Sequence, residues 1–476
     1  MKLSALIAEL NITAPVTDRE VTCITDNSAK ICRGCIFVCI KGARFDGHTK
    51  AAEALESGAA AVVVNHDMGL ENQLIVDDTR KAYTLLCSAF SSHPERKLKL
   101  IGITGTNGKT TTAFIIREAL EKLGHKTGMI GTVQNCTGDR ILPASLTTPD
   151  PNELFGLFDK MVKSGCEYCV MEVSSQALHQ QRVAGIHYDA AVFTNLTQDH
   201  LDYHGTFENY MAAKHILFEN SDTGIFNIDD DASEYMMNNS ACRNVTYSLS
   251  DNNCNYSAKD IRSKASGVKY EIVSDSNIGR ISFRVPGEFS VYNSMGAAVC
   301  LIELGMDFRE TAEAISSCSG IPGRMETLKL DKPYTVIIDY AHTPDGLENV
   351  LRSLKSVAEG KVITVFGCGG DRDKTKRPIM GEIGATLSDI AIITSDNPRS
   401  EDPKAIIDDI TAGVPKGHKP TVYIEIDRTQ AVRKAISLAA ENDIILLAGK
   451  GHETYQILST GKIHYDEREI VAEILK

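Results

Sequence analysis

The chain has no run of about 18 apolar residues, and its opening segment MKLSALIAELNIT carries a Glu and an Asn early. Neither a membrane span nor a signal peptide is therefore expected. It also lacks an excess of positive charge. Fifty Lys and Arg against 63 Asp and Glu give a formal net charge of −13, which argues against nucleic acid as the main partner. A phosphorylated substrate would then need local basic positions. The cysteines form no disulfide framework, being 13 in number and irregularly spaced. Cys32-x-x-Cys35 and Cys166-x-x-Cys169 lie too far apart for a zinc ribbon, and the second pair runs into the apolar segment YCVMEV. They read as ordinary buried or free thiols, which suit a reducing cytoplasm. A guanine-reading NKxD motif is absent as well.

What is present is a phosphate loop. Ile101-Gly102-Ile103-Thr104-Gly105-Thr106-Asn107-Gly108-Lys109-Thr110-Thr111-Thr112 joins an apolar strand, Leu98 to Thr104, to an amphipathic helix carrying Phe114, Ile115, Ile116, Ala119, Leu120 and Leu123. A glycine-rich turn from strand to helix presents N–H groups and a helix N-terminus, which together bind anions. Lys109 can reach terminal phosphates, and the Thr110 hydroxyl can sit on Mg²⁺. The standard loop has glycine where Ile103 stands, so this is a variant with Gly102 and Gly105 nearest. The segment predicts use of a nucleoside triphosphate.

At 476 residues the chain should hold about three domains. Residues 1 to 90 alternate short strands and helices (IFVCIKG, KAAEALESGA, AVVVN), and SSHPERKLK reads as a polar linker. Residues 91–322 read as a mixed α/β domain opened by the phosphate loop, with a strand meander around 245 to 285. IPGR at 321–324 reads as a second hinge. Residues 323–476 repeat strand, loop, helix (YTVIIDYAH, KVITVFGCGG, DIAIITSDNPR, TVYIEIDR, DIILLAGKGHE). That alternation predicts a mainly parallel, doubly wound sheet. Polar residues or glycines follow each apolar run, and ligands bind beyond the carboxyl ends of such strands. Asp339, His342, Arg372, Asp396, Asn397, Arg399, Gly449 and Glu453 are therefore expected on one rim.

Three further features carry chemistry. Tyr168 to Glu172 is an apolar strand ending in a carboxylate, the usual place for a Mg²⁺-holding group in phosphate-loop enzymes. The loop TNLTQDHLDYHGT concentrates Asp199, His200, Asp202 and His204, which could supply a metal ligand. Lys214 lies three or four positions from Tyr210, Met211, Leu217 and Phe218 on one helix, which puts an ammonium on an apolar stripe. It either snorkels along that stripe or has a depressed pKa. A neutral amine there can add CO₂ and become a metal-binding carbamate.

GTNGKTTT, the Glu172 strand, TNLTQDHLDYHGT with AAKHILF, IPGRME, DYAHTPDGLENVL, GCGGDRDKTKRPIM, SDNPRSEDP and AGKGHE occur in that order, and together they resemble the Mur ligase family. The resemblance implies an α/β chain of three domains: a UDP-sugar-binding domain (1–90), a central phosphate-loop ATPase domain (91–322) and a Rossmann-like, amino-acid-binding C-terminal domain (323–476). It implies an ATP-dependent amide ligase of peptidoglycan precursor synthesis. Such a ligase adds meso-diaminopimelate to UDP-N-acetylmuramoyl-L-alanyl-D-glutamate through an acyl phosphate, with domain closure assembling the parts.

By the same resemblance Gly105, Thr106, Asn107, Gly108, Lys109, Thr110 and Thr111, with Asn293, Arg324, Asp339 and His342, bind ATP. Thr110, Glu172, His200 and carbamylated Lys214 hold Mg²⁺, and Lys109, Lys214, Glu172 and His200 are catalytic. Asn27, Thr147, Thr148, Ser174, Gln180 and Arg182 contact the UDP-muramoyl dipeptide. Arg372, Asp396, Asn397, Pro398, Arg399, Gly449 and Glu453 contact diaminopimelate. The chain departs from the family in having Asp26-Asn27-Ser28 where Asp-Ser-Arg is usual, and Ser290 where an Asn is usual. The resemblance further implies a cytoplasmic monomer without nucleic-acid partners. The rival readings are the same reaction with L-lysine, a folylpolyglutamate synthase-like ligase, and, in another class, a phosphate-loop switch.

Overall fold

The computed structural model describes all residues except 13–16, 43–44, 239, 265–266, 319, 416 and 418–420, and the side chain of Asp202 lies outside the described ones. The chain divides into two compact units. One comprises Met1–Ser257 with Met295–Ala314, the other Ala258–Ser294 with Ile315–Lys476.

The first unit holds two sheets. The N-terminal one is parallel, with strands Cys23–Thr25, Cys35–Val38, Ala61–Val64 and Gln73–Ile75 in chain order. The second has a parallel centre in which Arg243–Ser248, Ser221–Asn227, Tyr188–Phe193, Lys99–Thr104, Tyr168–Glu172 and Thr127–Ile130 are neighbours in that order. Two antiparallel strands, Gln134–Cys136 and Ile141–Pro143, extend it. Its central strands are apolar almost throughout because a parallel sheet is covered on both faces. All residues of Lys99–Thr104 except Lys99 are buried.

One expectation changes and a second holds in part. The polar segment 91–99 is no free linker: Pro94–Lys97 forms a short 3₁₀ helix, and buried Glu95 accepts from Ser88 Oγ at 2.7 Å. Leu98 joins a core that also takes Leu3, Ile24, Leu86, Phe155 and Phe158. Asn152 ties the two sheets by donating to Ile24 O and Tyr83 Oη, both at 2.7 Å. In the expected meander, Arg243–Ser248 and Tyr256–Lys264 pair in parallel, Tyr247 opposite Tyr256. Gly267–Val273 then lies beside Tyr256–Lys264 in the sheet and pairs antiparallel with Ile278–Phe283, so these three strands follow one another as the meander reading expects. Asp229, accepting from Leu249 N and Ser248 Oγ, turns the chain outward before the second strand.

In the second unit the sheet order is Glu326–Thr327, Thr335–Asp339, Ile444–Ala448, Val362–Phe366, Ile390–Ile393, Thr421–Ile424. All are parallel except the first. This is the doubly wound sheet the alternation predicts, and its core comprises Val336, Ile338, Ile363, Val365, Ile392, Val432, Ile445, Leu447 and Val471 among others. No helix among the described residues is long and apolar enough to cross a membrane. Ten of the 13 cysteines are buried, Cys166 and Cys169 included.

Candidate active site

The phosphate loop ends the strand Lys99–Thr104 and starts the helix Lys109–Lys122. Gly105 and Gly108 take the left-handed φ values of 146° and 85° that the turn requires. A Cβ on Gly105 would strike Thr194 Oγ1. Gly102 is not part of the loop; it sits inside the strand, where a Cβ would press on Leu217 and Tyr188 at 2.9 and 3.0 Å. The loop is braced from the neighbouring strand end: Thr106 N donates to Asn195 O and Asn107 N to Asn195 Oδ1, both at 2.9 Å.

Lys109 folds over this loop, its Nζ donating to Gly105 O and Thr106 O at 2.8 Å each. Thr110 Oγ1 donates to Glu172 Oε2 at 2.9 Å. Glu172, at the end of its strand, is buried and also accepts from Thr132 N at 2.8 Å and Thr132 Oγ1 at 3.0 Å. Among the described residues no three His, Cys, Asp or Glu side chains converge as a metal-ligand set. Mg²⁺ does not require one, since it keeps waters and takes one or two carboxylates plus phosphate oxygens. The Thr110 hydroxyl beside the Glu172 carboxylate is a hard-oxygen pair of that kind.

Lys214 lies in the helix Phe207–Glu219 and is 1% exposed. It does not snorkel to solvent. Its Nζ donates to Gly105 O at 2.7 Å and stands 4.6 Å from the centre of the Tyr210 ring. Burial, reinforced by the charge of Lys109, holds its amine well below the ordinary lysine range, with Asp199 pulling weakly the other way. Tyr210, which the motif reading passed over, also meets Thr106 Oγ1 at 3.1 Å. A hydroxyl on an otherwise apolar helix stripe was the available signal. His200 is exposed at φ 52°, with Nδ1 3.4 Å from Gln176 Nε2 and Nε2 3.5 Å from Asp199 Oδ2.

The residues expected at the muramoyl dipeptide form one network around the same strand end. Thr147 Oγ1 meets Thr132 Oγ1 at 3.0 Å, and Thr148 Oγ1 donates to Glu172 O at 2.8 Å. Ser174 caps the helix Ser175–His179. Arg182 donates to Gln180 Oε1 at 2.8 Å and to Thr148 O at 3.0 Å. Asn27 stands apart from this network, in the loop after the strand Cys23–Thr25, where its Oδ1 accepts from Ala29 N at 2.9 Å.

In the second unit Asp339, Asp396, Asn397 and Gly449 follow the ends of parallel strands, so the predicted rim exists. Asp339 accepts from Met325 N at 2.7 Å and Ala341 N at 2.8 Å. Burial raises its carboxyl, against the opposing pull of Arg324. The Arg324 guanidinium stacks 4.8 Å from the Tyr340 ring centre. Asn293 is buried in the helix Glu288–Glu303, and His342 Nδ1 lies 2.8 Å from Tyr340 O. His452, 4.9 Å from the Tyr340 ring, is pushed down to about 4 by burial and the charge of Arg324.

Lys450 is the residue the motif reading missed. It is fully buried between Gly449 and Gly451, both at positive φ. Its Nζ donates to Asn397 Oδ1 at 2.6 Å, to Tyr455 O at 3.0 Å and to Glu453 Oε2 at 3.1 Å, and pairs with Asp396 Oδ1 at 3.1 Å. Burial alone would raise the Asp396 carboxyl, but Lys450 and Arg428 hold it below the usual range. Asn397 Nδ2 also donates to Glu453 Oε2 at 2.9 Å. After Pro398, Arg399 turns at φ 53° and donates from Nη1 to Gly370 O at 2.7 Å. Arg372 is exposed, donating to Asp371 O at 3.1 Å.

Comparison with known proteins agrees with this layout. Residues 20–92 match the model for the Mur ligase family catalytic domain, 103–301 the Mur ligase middle domain and 323–451 the Mur ligase glutamate ligase domain. The UDP-N-acetylmuramoyl-L-alanyl-D-glutamate–2,6-diaminopimelate ligase of Clostridium perfringens (strain 13 / Type A) is 47% identical over 473 residues, 96% of each chain. Its namesake from Clostridium botulinum (strain ATCC 19397 / Type A) is 44% identical over 468 residues, again 96% of each. A solved structure of a ligase of that name superposes with a TM-score of 0.74 at 30% identity, covering 100% of this chain and 99% of its own.

Proposed function

The chain belongs to the Mur ligase family, and we propose that it joins meso-diaminopimelate to the D-glutamate carboxylate of UDP-N-acetylmuramoyl-L-alanyl-D-glutamate, driven by ATP, in peptidoglycan precursor synthesis. The observation that carries this reading is the 47% identity across 96% of a ligase of that name. It is an ATP-dependent ligase, with residues 1–90 as the proposed UDP-sugar domain, 91–322 as the ATP-binding domain and 323–476 as the amino-acid domain. The proposed setting is a cytoplasmic monomer, since both ATP and a UDP-linked precursor belong to the cytoplasm.

The reaction has two stages. An oxygen of the D-glutamate carboxylate attacks the γ-phosphorus of ATP, the bond to the β-phosphate oxygen breaks, and ADP leaves an acyl phosphate. The diaminopimelate amine then attacks the acyl carbon, loses a proton, and expels phosphate. Most of the catalytic work is positioning and charge neutralisation. Loop N–H groups and the Lys109 ammonium take the phosphates, Lys109 giving up its bonds to Gly105 O and Thr106 O. Thr110 and Glu172 would hold one Mg²⁺, with His200 and Lys214 for a second; bound Mg²⁺ offsets phosphate charge. Lys214 would serve as a carbamate, its neutral amine adding CO₂ and releasing one proton, a change its burial and lowered pKa favour. Thr147, Thr148, Ser174, Gln180 and Arg182 orient the dipeptide.

The test is ADP release with the UDP-muramoyl dipeptide against a panel of amino acids. Turnover should require both co-substrates and be greatest with meso-diaminopimelate. ADP release without either one would point to a phosphate-loop switch, and preference for glutamate with a folate acceptor to a folylpolyglutamate synthase-like enzyme.

A further inference from the structure

Three thiols meet at the edge of the N-terminal sheet. Cys23 and Cys35 begin adjacent parallel strands and face each other in register. Cys32 is brought back over them by a tight turn in which Cys35 N donates to Cys32 O at 3.1 Å. Gly34 holds the left-handed third position of that turn at φ 82°, with Thr22 packed 3.0 Å from where a Cβ would stand. The Sγ atoms of Cys23 and Cys32 come to 3.3 Å. Cys32 is exposed, Cys23 half-buried and Cys35 buried, so Cys32 is the most accessible of the three.

The segment between the two thiols carries Asp26-Asn27-Ser28. Thr25 Oγ1 accepts from Asn27 N at 3.1 Å, and Asn27 caps the 3₁₀ turn Ser28–Lys30. A bond between Cys23 and Cys32 would close a short ring around this loop, and short rings leave little freedom to the residues inside.

We propose that Cys23 and Cys32 are a redox-responsive dithiol site, closing to an intramolecular disulfide under a peroxide and thereby fixing the 26–28 loop in a form that binds the nucleotide-sugar substrate less well. The Cys32 thiolate attacks one peroxide oxygen, the O–O bond breaks, and a sulfenic acid forms with release of the first water. Cys23 sulfur then attacks Cys32 sulfur, the S–O bond breaks, and the second water leaves. Two thiols are oxidised by two electrons and one peroxide is reduced to two waters. Cys32 is the entry thiol because it is exposed, whereas burial pushes the Cys23 thiol up to about 11 and keeps it from meeting peroxide first; its place 3.3 Å from Cys32 Sγ makes it the resolving sulfur. Transient disulfides of this kind are the ones reducing compartments tolerate. The effect on substrate rests on the proposed role of Asn27 at the UDP end; the dithiol itself does not.

The experiment treats the full-length protein with hydrogen peroxide, blocks remaining thiols, and maps peptides by mass. The expected product is a Cys23–Cys32-linked peptide, lighter by about 2 Da and restored by dithiothreitol. It should form in Cys35→Ala and be absent from Cys32→Ser and Cys23→Ser. Recovery of Cys32 as a sulfinic acid, or bridged to Cys35 or to a second chain, overturns the site. In parallel, the oxidised wild type should show a KM for the UDP-muramoyl dipeptide raised roughly fivefold or more, the lower end of ordinary coupling between sites. The KM for ATP should stay put, and Cys32→Ser should be indifferent to peroxide. A bridge that forms with an unchanged KM overturns the loop effect. Reduced wild type that does not ligate at all would count against the proposed reaction, while the peptide map would still decide the dithiol.

Discussion

Lys109 and Lys214 donate to the same atom, the carbonyl oxygen of Gly105, at 2.8 and 2.7 Å. One lysine starts the phosphate-loop helix and the other lies on a helix more than a hundred residues later. Two ammonium groups on one acceptor repel each other, and the buried one loses its proton more easily. The loop carbonyl thus joins the residue proposed to meet phosphate to the residue proposed to become a carbamate.

Lys109→Ala should keep the fold and lose ligation. The side chain removed is the one proposed to meet the transferring phosphoryl group, and loss of one such charge lowers kcat by about a hundredfold or more. Circular dichroism should be unchanged while ADP release falls. Near-normal turnover would sink the phosphate-loop assignment.

Lys214→Ala should be nearly inactive and regain part of its activity with added short carboxylates, which take the place of the carbamate. A high-resolution map of the wild type should show density beyond Nζ. A bare ammonium in a fully active enzyme would refute the carbamate.

Much of this was legible in the sequence because strand-to-helix turns with glycine and strand ends with carboxylates are local patterns. Gly105, Lys109, Thr110, Glu172 and the rim from Asp339 to Gly449 belong to that class. Lys450 was not legible, although it lies within AGKGHE. Its role depends on Asp396, Asn397 and Tyr455, which come from other stretches of chain. The linker at 91–99 misled for the related reason that polarity is local while burial is not: Glu95 is polar and yet buried, with Ser88 Oγ donating to its Oε1. Gly102 misled because a glycine needed for packing against Tyr188 and Leu217 looks the same as one needed for a turn.

Lys450→Met should cost about 3 kcal/mol of stability, because it leaves buried Asp396 and half-buried Glu453 without their Lys450 partner, with Arg428 the remaining cation near Asp396. Denaturant unfolding monitored by fluorescence or circular dichroism reads this out. A loss under about 1 kcal/mol would mean water replaces the ammonium.

Acid should destabilise the protein partly through His452. Its folded pKa is about 4 against an ordinary 6.5. Above 6.5 both states are neutral there and the group contributes nothing. As pH falls from 6.5 towards 4 the unfolded chain takes up a proton the folded one refuses, so stability declines, by ~3 kcal/mol at pH 4. His452→Gln should flatten that part of the curve. Identical slopes for wild type and variant between pH 6.5 and 4 would remove His452 from the account.

The amino acid added should be set by Arg399. It follows Asp396-Asn397-Pro398 beyond the strand Ile390–Ile393, and the bond from its Nη1 to Gly370 O orients the guanidinium plane. A guanidinium so held offers its fork to a carboxylate. Diaminopimelate carries a carboxylate at the far end of its side chain and L-lysine does not. Asn397 and Glu453, tied together at 2.9 Å and both bonded to Lys450, are the groups proposed to take the distal amine beside it. A site built for a bidentate contact rejects the analogue that leaves it unpaired by several kcal/mol, on the order of a thousandfold. Wild-type kcat/KM should therefore favour meso-diaminopimelate over L-lysine by about that ratio. Arg399→Ala should lose most activity with diaminopimelate, change little with lysine, and so narrow the gap. Equal or better wild-type efficiency with L-lysine would overturn the assignment of the pocket to diaminopimelate and leave the ligase chemistry standing.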